Sequence, residues 1–395
     1  MNKQIISLGG LLCAVLLSCE KTGPIMRQTN IEAARQTATA IFESFYGPST
    51  KAGITSTRTV EYVKDSVAIA VNMYPEGFVL FQNNKDKTPL IVCDEGEFSN
   101  LYDNPVSAEY LASILKQIPG HRDGYDPDPS FAWMEERNVQ EDSVIVEPII
   151  SVQWNQQAPF NLYAPNGYAG CFPVAWAQIM SVYSYPTALE LTYSGADVAQ
   201  TNLDWPSLTS HDYFEIMLPS GVLISSHLKD TCEICKQSGR LLRQLGEVFG
   251  STYGIGGTST ENITSTMLMD VGYTATIGLY EINTVLGNIQ SGTPVLLIGG
   301  NGSGAHAYDA DGYKIKTHSY DLYVFESGAW HYDSHNEREQ TYLHFNYGWI
   351  AGAANGYYLV LDKETTSTNG GSPVVSTYVN SPQGFDFNLV SMAMY

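Results

Sequence analysis

Basic residues are scarce. The chain carries 20 Lys and Arg against 41 Asp and Glu, a formal net charge of −21. That balance argues against binding nucleic acid or an anionic membrane surface through general electrostatics, and it favours solubility. The sequence has no basic run, long heptad array or fixed-period repeat. Long apolar runs are also lacking: the one candidate, Ile5 to Leu17, is too short for a good transmembrane helix. Cysteine is used sparingly, with six in 395 residues, so each can be assigned in turn. What is abundant is glycine and tyrosine, 35 and 26, in a 44% apolar composition that suggests long loops over a β-rich body. The length allows two or more domains and a sizeable core.

"MNKQIISLGGLLCAVLLSCEK" reads as a targeting segment and is set aside from fold reasoning. Lys3 supplies its charged region, and Leu16-Leu17-Ser18-Cys19 resembles a bacterial lipoprotein lipobox. The resemblance implies that residues 1–18 are removed and that Cys19 is lipidated. It further implies an exported protein held at the outer membrane or cell surface, with release after processing as a variant. The alternative is an ordinary secretory signal cleaved nearby.

Cys13 lies inside that segment. Cys93 ends the apolar run "PLIVC" and reads as a small hydrophobe. Cys232 and Cys235 form "CEIC", where an export context allows a disulfide or two free thiols, and no further zinc ligands lie nearby. Cys171 is different. In "NGYAGCFPVAWAQIMSVY" (166–183) it follows a glycine and opens a predicted helix, with Pro173 suited to the first turn. Unpaired N–H groups at a helix start carry partial positive charge and favour thiolate over thiol.

Before that helix, "NIEAARQTATAIFESFYG" (30–47) has apolar residues at helical spacing, and "SVAIAVNMYPEGFVLFQ" (66–82) switches to a period of two, predicting a hairpin. A further strand is expected at 89–93, giving a small α+β unit over roughly 25–120. The stretches "GHRDGYDPDPS" (120–130) and "MEERNVQEDS" (134–143) hold few core residues and many charges, and read as an exposed linker open to proteolysis. Beyond it a larger domain begins. Helices are predicted at 171–185, 238–250, 260–271 and 280–291. Strands follow at 294–299, 306–313, 320–325, 341–346 and 357–361. Helices first and antiparallel sheet second is an α+β arrangement.

A nucleophilic thiol needs a base, a group orienting that base, and donors for the oxyanion. Of eight histidines, His306 follows the Gly-rich "NGSG" where a strand begins. Its separation from Cys171 falls in the roughly 130–150-residue range known for one protease class, which is weak evidence by itself. "HFNYGW" (344–349) offers Asn346 as an orienting amide, and "WNQQAPFN" (154–161) offers Gln156 as an oxyanion donor beside the N–H of Cys171. His344 competes for the base role but reads as structural. Gln157 is the alternative donor to Gln156. His331 and His335 have metal-like spacing, yet fit a solvated hairpin tip.

The order W-x-Q-x-x-P-F-N, then G-C-x-x-x-A-x-A-Q-I-M, then A-H-A, then H-F-N-Y-G-W resembles the streptopain family of papain-like cysteine proteases. The resemblance implies a papain-like α+β peptidase domain over 146–395, preceded at 19–145 by a small α+β inhibitory propeptide and linker. It implies Cys171 as nucleophile, His306 as base, Asn346 as the residue orienting the base, and Gln156 as oxyanion donor, with Tyr347 and Trp349 supporting. Protein or peptide substrates and the chain's own propeptide as inhibitor in cis follow as partners, with a membrane anchor at Cys19. No metal, other cofactor or nucleic acid is expected. The chain departs from the family pattern at Tyr347, where a tryptophan usually shields the His–Asn hydrogen bond, and at Ala305, where glycine usually precedes the histidine. The stretch between His306 and Asn346 is also longer than usual and predicts an extended hairpin, a substrate-facing or partner-facing addition. A second reading follows from these departures: a papain-like surface lipoprotein with weakened catalysis, acting as a binding or adhesion module.

Overall fold

The computed structural model describes residues 24–47, 56–63, 67–74, 76–83, 87–102, 111, 115, 134–210, 232–254, 257–260, 262–300, 305–326, 329–349, 354–368, 372–379 and 388–392. Cys13, Cys19 and the 120–130 stretch lie outside the described residues.

Helix α1 (Pro24–Tyr46) buries Ala34, Ala38, Phe42 and Phe45, the stripe that its spacing predicts. It packs on strands β1 (Ser56–Val63), β2 (Ala68–Tyr74), β3 (Phe78–Gln82) and β4 (Pro89–Cys93), an antiparallel meander. β2 is buried on both faces rather than one: Ala68, Ile69, Ala70 and Val71 are all buried in one core. Cys93 is fully buried, as a small hydrophobe would be.

Strand β5 (Met134–Val146) corrects the linker expectation. Residues 134–143 are not a free linker. They pair with the long strand β12 (Ala305–Glu326), from Val324↔Met134 to Tyr313↔Val146. The charges misled because this is an edge strand, where charged side chains are solvated while the backbone is held in a ladder.

The helical part follows: α2 (Cys171–Tyr183), β6 (Ala188–Glu190), β7 (Gln200–Asn202), α3 (Trp205–Ser210), α4 (Glu233–Val248), β8 (Thr252–Gly254), β9 (Gly257–Ser259), α5 (Ser265–Met269), β10 (Ala275–Leu279) and α6 (Ile282–Gln290). A disulfide joins Cys232 to Cys235 at the start of α4. The sheet part comprises β11 (Val295–Gly300), β12, β13 (Ala329–Asn346), β14 (Gly356–Thr368), β15 (Val374–Val379) and β16 (Asn388–Met392). The chain is thus α+β. The predicted strands at 306–313 and 320–325 are one strand, β12, and β13 returns along it to Glu326↔Ala329, making the extended hairpin. At its tip end His335 Nδ1 lies 2.8 Å from Asp321 Oδ1.

All of the large strands join one twelve-stranded sheet in the order β1-β2-β3-β4-β14-β13-β12-β11-β16-β10, with β15 beside β14 and β5 beside β12. The leading unit is continuous with the second part through Tyr357↔Val92 and Tyr358↔Ile91. The buried residues form two cores. One holds α1, β1–β4 and α6 together with Tyr308, Tyr342, Phe345 and Tyr357. The other holds α2 and α4 with Leu296 and Ala307. Alternate residues of β12 therefore face opposite cores, and α2 sits against the face that carries Ala307, Asp309 and Asp311.

Candidate active site

Helix α2 is buried from Phe172 through Ser181, which leaves Cys171 as its half-exposed first residue. Gly170 sits at the N-cap with φ 99°, a left-handed backbone conformation that suits glycine, and no side chain caps the helix. The first-turn N–H groups are thus free of a side-chain cap at the point where the thiol lies. The preceding loop is pinned by the β8–β9 hairpin. Asn166 Nδ2 donates to Gly254 O at 2.9 Å and Gly257 O at 3.0 Å, and Thr258 Oγ1 donates to Tyr168 O at 2.9 Å.

The thiol meets His306. Burial of the Cys171 sulfur raises its pKa, but the side-chain hydrogen bond to His306, the charge of that imidazole, and the N–H groups of Ala307 and Phe172 outweigh it, so the thiol is more acidic than an ordinary cysteine. His306 is buried at the start of β12, where Gly299 of β11 pairs with it. Its Nε2 lies 2.9 Å from the carbonyl oxygen of Tyr347. A carbonyl only accepts, so Nε2 carries a proton and Nδ1 is the nitrogen left to exchange a proton with sulfur.

Asn346 is placed differently from the role that the resemblance implies. Its Nδ2 donates to Val152 O at 3.0 Å and its Oδ1 accepts from Gly348 N at 3.2 Å, while the Tyr347 carbonyl holds the imidazole. The Asn346 side chain reaches the imidazole through the peptide unit between Tyr347 and Gly348, not by a direct bond. Tyr347 is nearly fully buried and stacks on Trp349 at 4.7 Å, with the Trp349 ring 5.3 Å from His306. These rings flank the imidazole and shield its hydrogen bond from water.

Gln156 is half-buried in the loop that precedes α2, and its carbonyl accepts from Ala169 N at 3.0 Å, which draws this loop alongside the segment leading to Cys171. Gln157 N bonds back to Asn155 Oδ1 at 2.8 Å within the same loop. His344 pairs with Asp311: Nδ1 to Oδ1 is 2.7 Å, and Asp311 Oδ2 accepts from Ile150 N at 3.0 Å. That buried pair anchors the segment after β5 to β12, in keeping with a structural histidine.

Three contributors went unrecognised in the sequence. Gln178 Oε1 accepts from Trp154 N at 3.0 Å and its Nε2 donates to Asp309 Oδ2 at 3.2 Å, tying α2 to β12 and to the Gln156 loop. Burial, with the charge of Asp311 adding to it, raises the Asp309 pKa well above the carboxylate range. A glutamine inside an otherwise apolar helix was the available signal. Thr258 and Asn355 had none beyond turn-like surroundings.

A family model for the Peptidase C10 family matches residues 154–358, more than half of the chain. The chain belongs to this family. The match spans Trp154, Gln156, Cys171, His306 and the Asn346–Trp349 turn. No curated protein matches the chain. Among solved structures, a fragment of prointerpain A from Prevotella intermedia, in a cysteine-to-alanine variant, is similar. It has 15% identity and a TM-score of 0.47, covering 85% of this chain and 98% of that one.

Proposed function

We propose that this member of the Peptidase C10 family is a cysteine endopeptidase made as a latent, exported and lipid-anchored precursor. The observation that carries the reading is the placement of Cys171 as the first residue of an uncapped helix, with the His306 side chain as its partner. Proton transfer from sulfur to Nδ1 gives a thiolate–imidazolium pair. Sγ attacks the scissile carbonyl, and the oxyanion takes hydrogen bonds from the Cys171 N–H and the Gln156 amide. The imidazolium gives its proton to the leaving nitrogen as the C–N bond breaks. Water, deprotonated by His306, then hydrolyses the thioester and frees the thiol.

The leading unit is the candidate inhibitor in cis. Its docking supports that reading: Phe45 packs on Tyr342 at 5.0 Å, Lys316 Nζ donates to Ser44 Oγ at 2.9 Å, and Lys314 Nζ donates to Ser44 O. Cys19 is the proposed lipid site, placing the enzyme at the outer membrane or cell surface. Palmitate labelling that disappears in Cys19→Ser tests the anchor. A thiol-reactive peptidyl probe and a casein assay on processed protein test the chemistry. Labelling and hydrolysis that vanish in Cys171→Ala support the enzyme; casein hydrolysis equal in wild type and variant sinks it. Binding without turnover would favour the adhesion-module reading, for which the long β12–β13 hairpin is the motivating feature.

A further inference from the structure

One backbone carbonyl holds the base, so whatever fixes that stretch of backbone fixes the base. Two buried asparagines converge there. The Gly348 N–H, part of the same peptide unit as the Tyr347 carbonyl, donates to Asn346 Oδ1 at 3.2 Å. The Tyr347 N–H donates to Asn355 Oδ1 at 2.9 Å. Asn346 and Asn355 are 3% and 5% exposed, so neither bond competes with bulk water. The turn has no slack on its other side: a Cβ on Gly348 would stand 2.8 Å from Val174 Cγ1, on the helix that begins with Cys171.

We propose that Asn355 is a positioning residue for His306, acting through the Tyr347 backbone; this rests on the cysteine-peptidase reading above. Asn355 fixes the N–H of Tyr347 and Asn346 fixes the N–H that follows the Tyr347 carbonyl, so residue 347 is clamped on both sides of the atom that accepts from Nε2. Hydrogen bonds in such a chain polarise one another, and the carbonyl becomes a better acceptor for an imidazolium than an unclamped one. Removing the Asn355 amide takes its acceptor from the Tyr347 N–H, a cost that the backbone relieves by turning toward another acceptor. The Tyr347 carbonyl then leaves its line to Nε2. The imidazolium loses its partner, and the thiolate that depends on that charge is less favoured.

The test is the pH dependence of iodoacetamide alkylation at Cys171 in the full chain, followed by peptide mass mapping. Asn355→Ala should move the midpoint up by about one pH unit, a tenfold change in the thiol–thiolate ratio. Asn355→Asp, which keeps an accepting oxygen, should return it most of the way. If Asn355→Ala does not fold, Asn355→Ser carries the same expectation, its hydroxyl being too short to span to Tyr347 N. A midpoint unmoved in the folded Ala or Ser variant overturns the proposal. A wild-type midpoint in the ordinary thiol range, with no turnover, would instead overturn the peptidase reading.

Discussion

His306 Nε2 and the carbonyl oxygen of Tyr347 are 2.9 Å apart, and that bond sets the tautomer of the imidazole beside Cys171. The imidazole is therefore oriented by a backbone atom. Side chains contribute by holding the backbone (Asn346, Asn355) or by screening it (Tyr347, Trp349), and substitutions should sort into these two kinds.

Tyr347→Trp and Tyr347→Phe should each retain kcat/KM within about threefold, because the accepting carbonyl and a flat buried ring persist in both. Tyr347→Ala removes the screen and should lose more, on the order of 10²-fold if the imidazole shifts by an ångström. Equal kinetics for the Phe and Ala variants would show that the ring does nothing for the base.

Cys171→Ala should reduce turnover of a fluorogenic peptide to background, and His306→Ala by roughly 10²–10⁴-fold. Asn346→Ala should fall between wild type and His306→Ala, since this side chain neither reacts nor touches the imidazole. An Asn346→Ala loss as deep as that of His306→Ala would argue for direct contact in the working enzyme.

The meeting of Cys171 with His306 was legible in the sequence because its signals are local: a cysteine between glycine and a helix, a histidine where a glycine-rich stretch precedes a strand. The leading helix, the 66–82 hairpin and the strand at 89–93 were legible for the same reason. What escaped was long-range. Asn355 accepts from a backbone N–H eight residues earlier in the chain, and no periodicity marks a residue whose work is to accept one N–H. β5 escaped because edge pairing leaves its charged side chains in water, so the strand has a linker's composition. The direct Asn346–His306 bond was implied by resemblance and differs here, where His306 Nε2 bonds to the Tyr347 carbonyl and Asn346 Oδ1 accepts from Gly348 N.

Stability should fall as pH rises through neutrality. Burial alone would lower the His344 pKa, but the charge and hydrogen bond of Asp311 outweigh it and leave it raised. A raised folded value means that the pair's contribution is complete below about 6.5, the unfolded value, and is lost as pH climbs through the folded one. Asp311→Asn should lower the Tm at acid and neutral pH and flatten this decline; breaking such a buried pair costs about 3–5 kcal/mol. A Tm profile parallel to wild type across pH 6–9 would remove His344 as the source.

Gly356 marks the seam between the leading unit and the peptidase part. A Cβ there would lie 2.5 Å from Val92 O and 2.7 Å from Cys93 Sγ, and the adjoining Ala354 carbonyl accepts from that thiol at 3.7 Å. Gly356→Ala should therefore loosen the β4–β14 pairing, at a cost of about 1–3 kcal/mol for overpacking. The expected readout is higher activity in the uncut protein, with the activity of the processed enzyme changed far less. A variant as latent as wild type would mean that inhibition does not pass through this seam.

Latency itself is the last expectation, and the structure shifts where it should be relieved. A folded unit tethered in cis acts at high effective concentration, so modest affinity is enough to block substrate; one cut makes the block bimolecular and dilution weakens it. Proteases need an extended, unpaired stretch of backbone, and β5 is paired with β12 from Met134 to Arg137 and from Gln140 to Val146, with a register shift between the two runs. The activating cut should therefore fall before Met134 rather than in the paired runs of β5. β5 would stay with the catalytic fragment as the outer partner of β12. Limited proteolysis followed by N-terminal sequencing of the active fragment locates the cut, and a fluorogenic assay of cut and uncut protein at equal dilution measures the gain. An active fragment that begins after Val146 would show that β5 is expendable. Uncut protein already as active as the cut form would make the leading unit a spacer or binding module instead of an inhibitor.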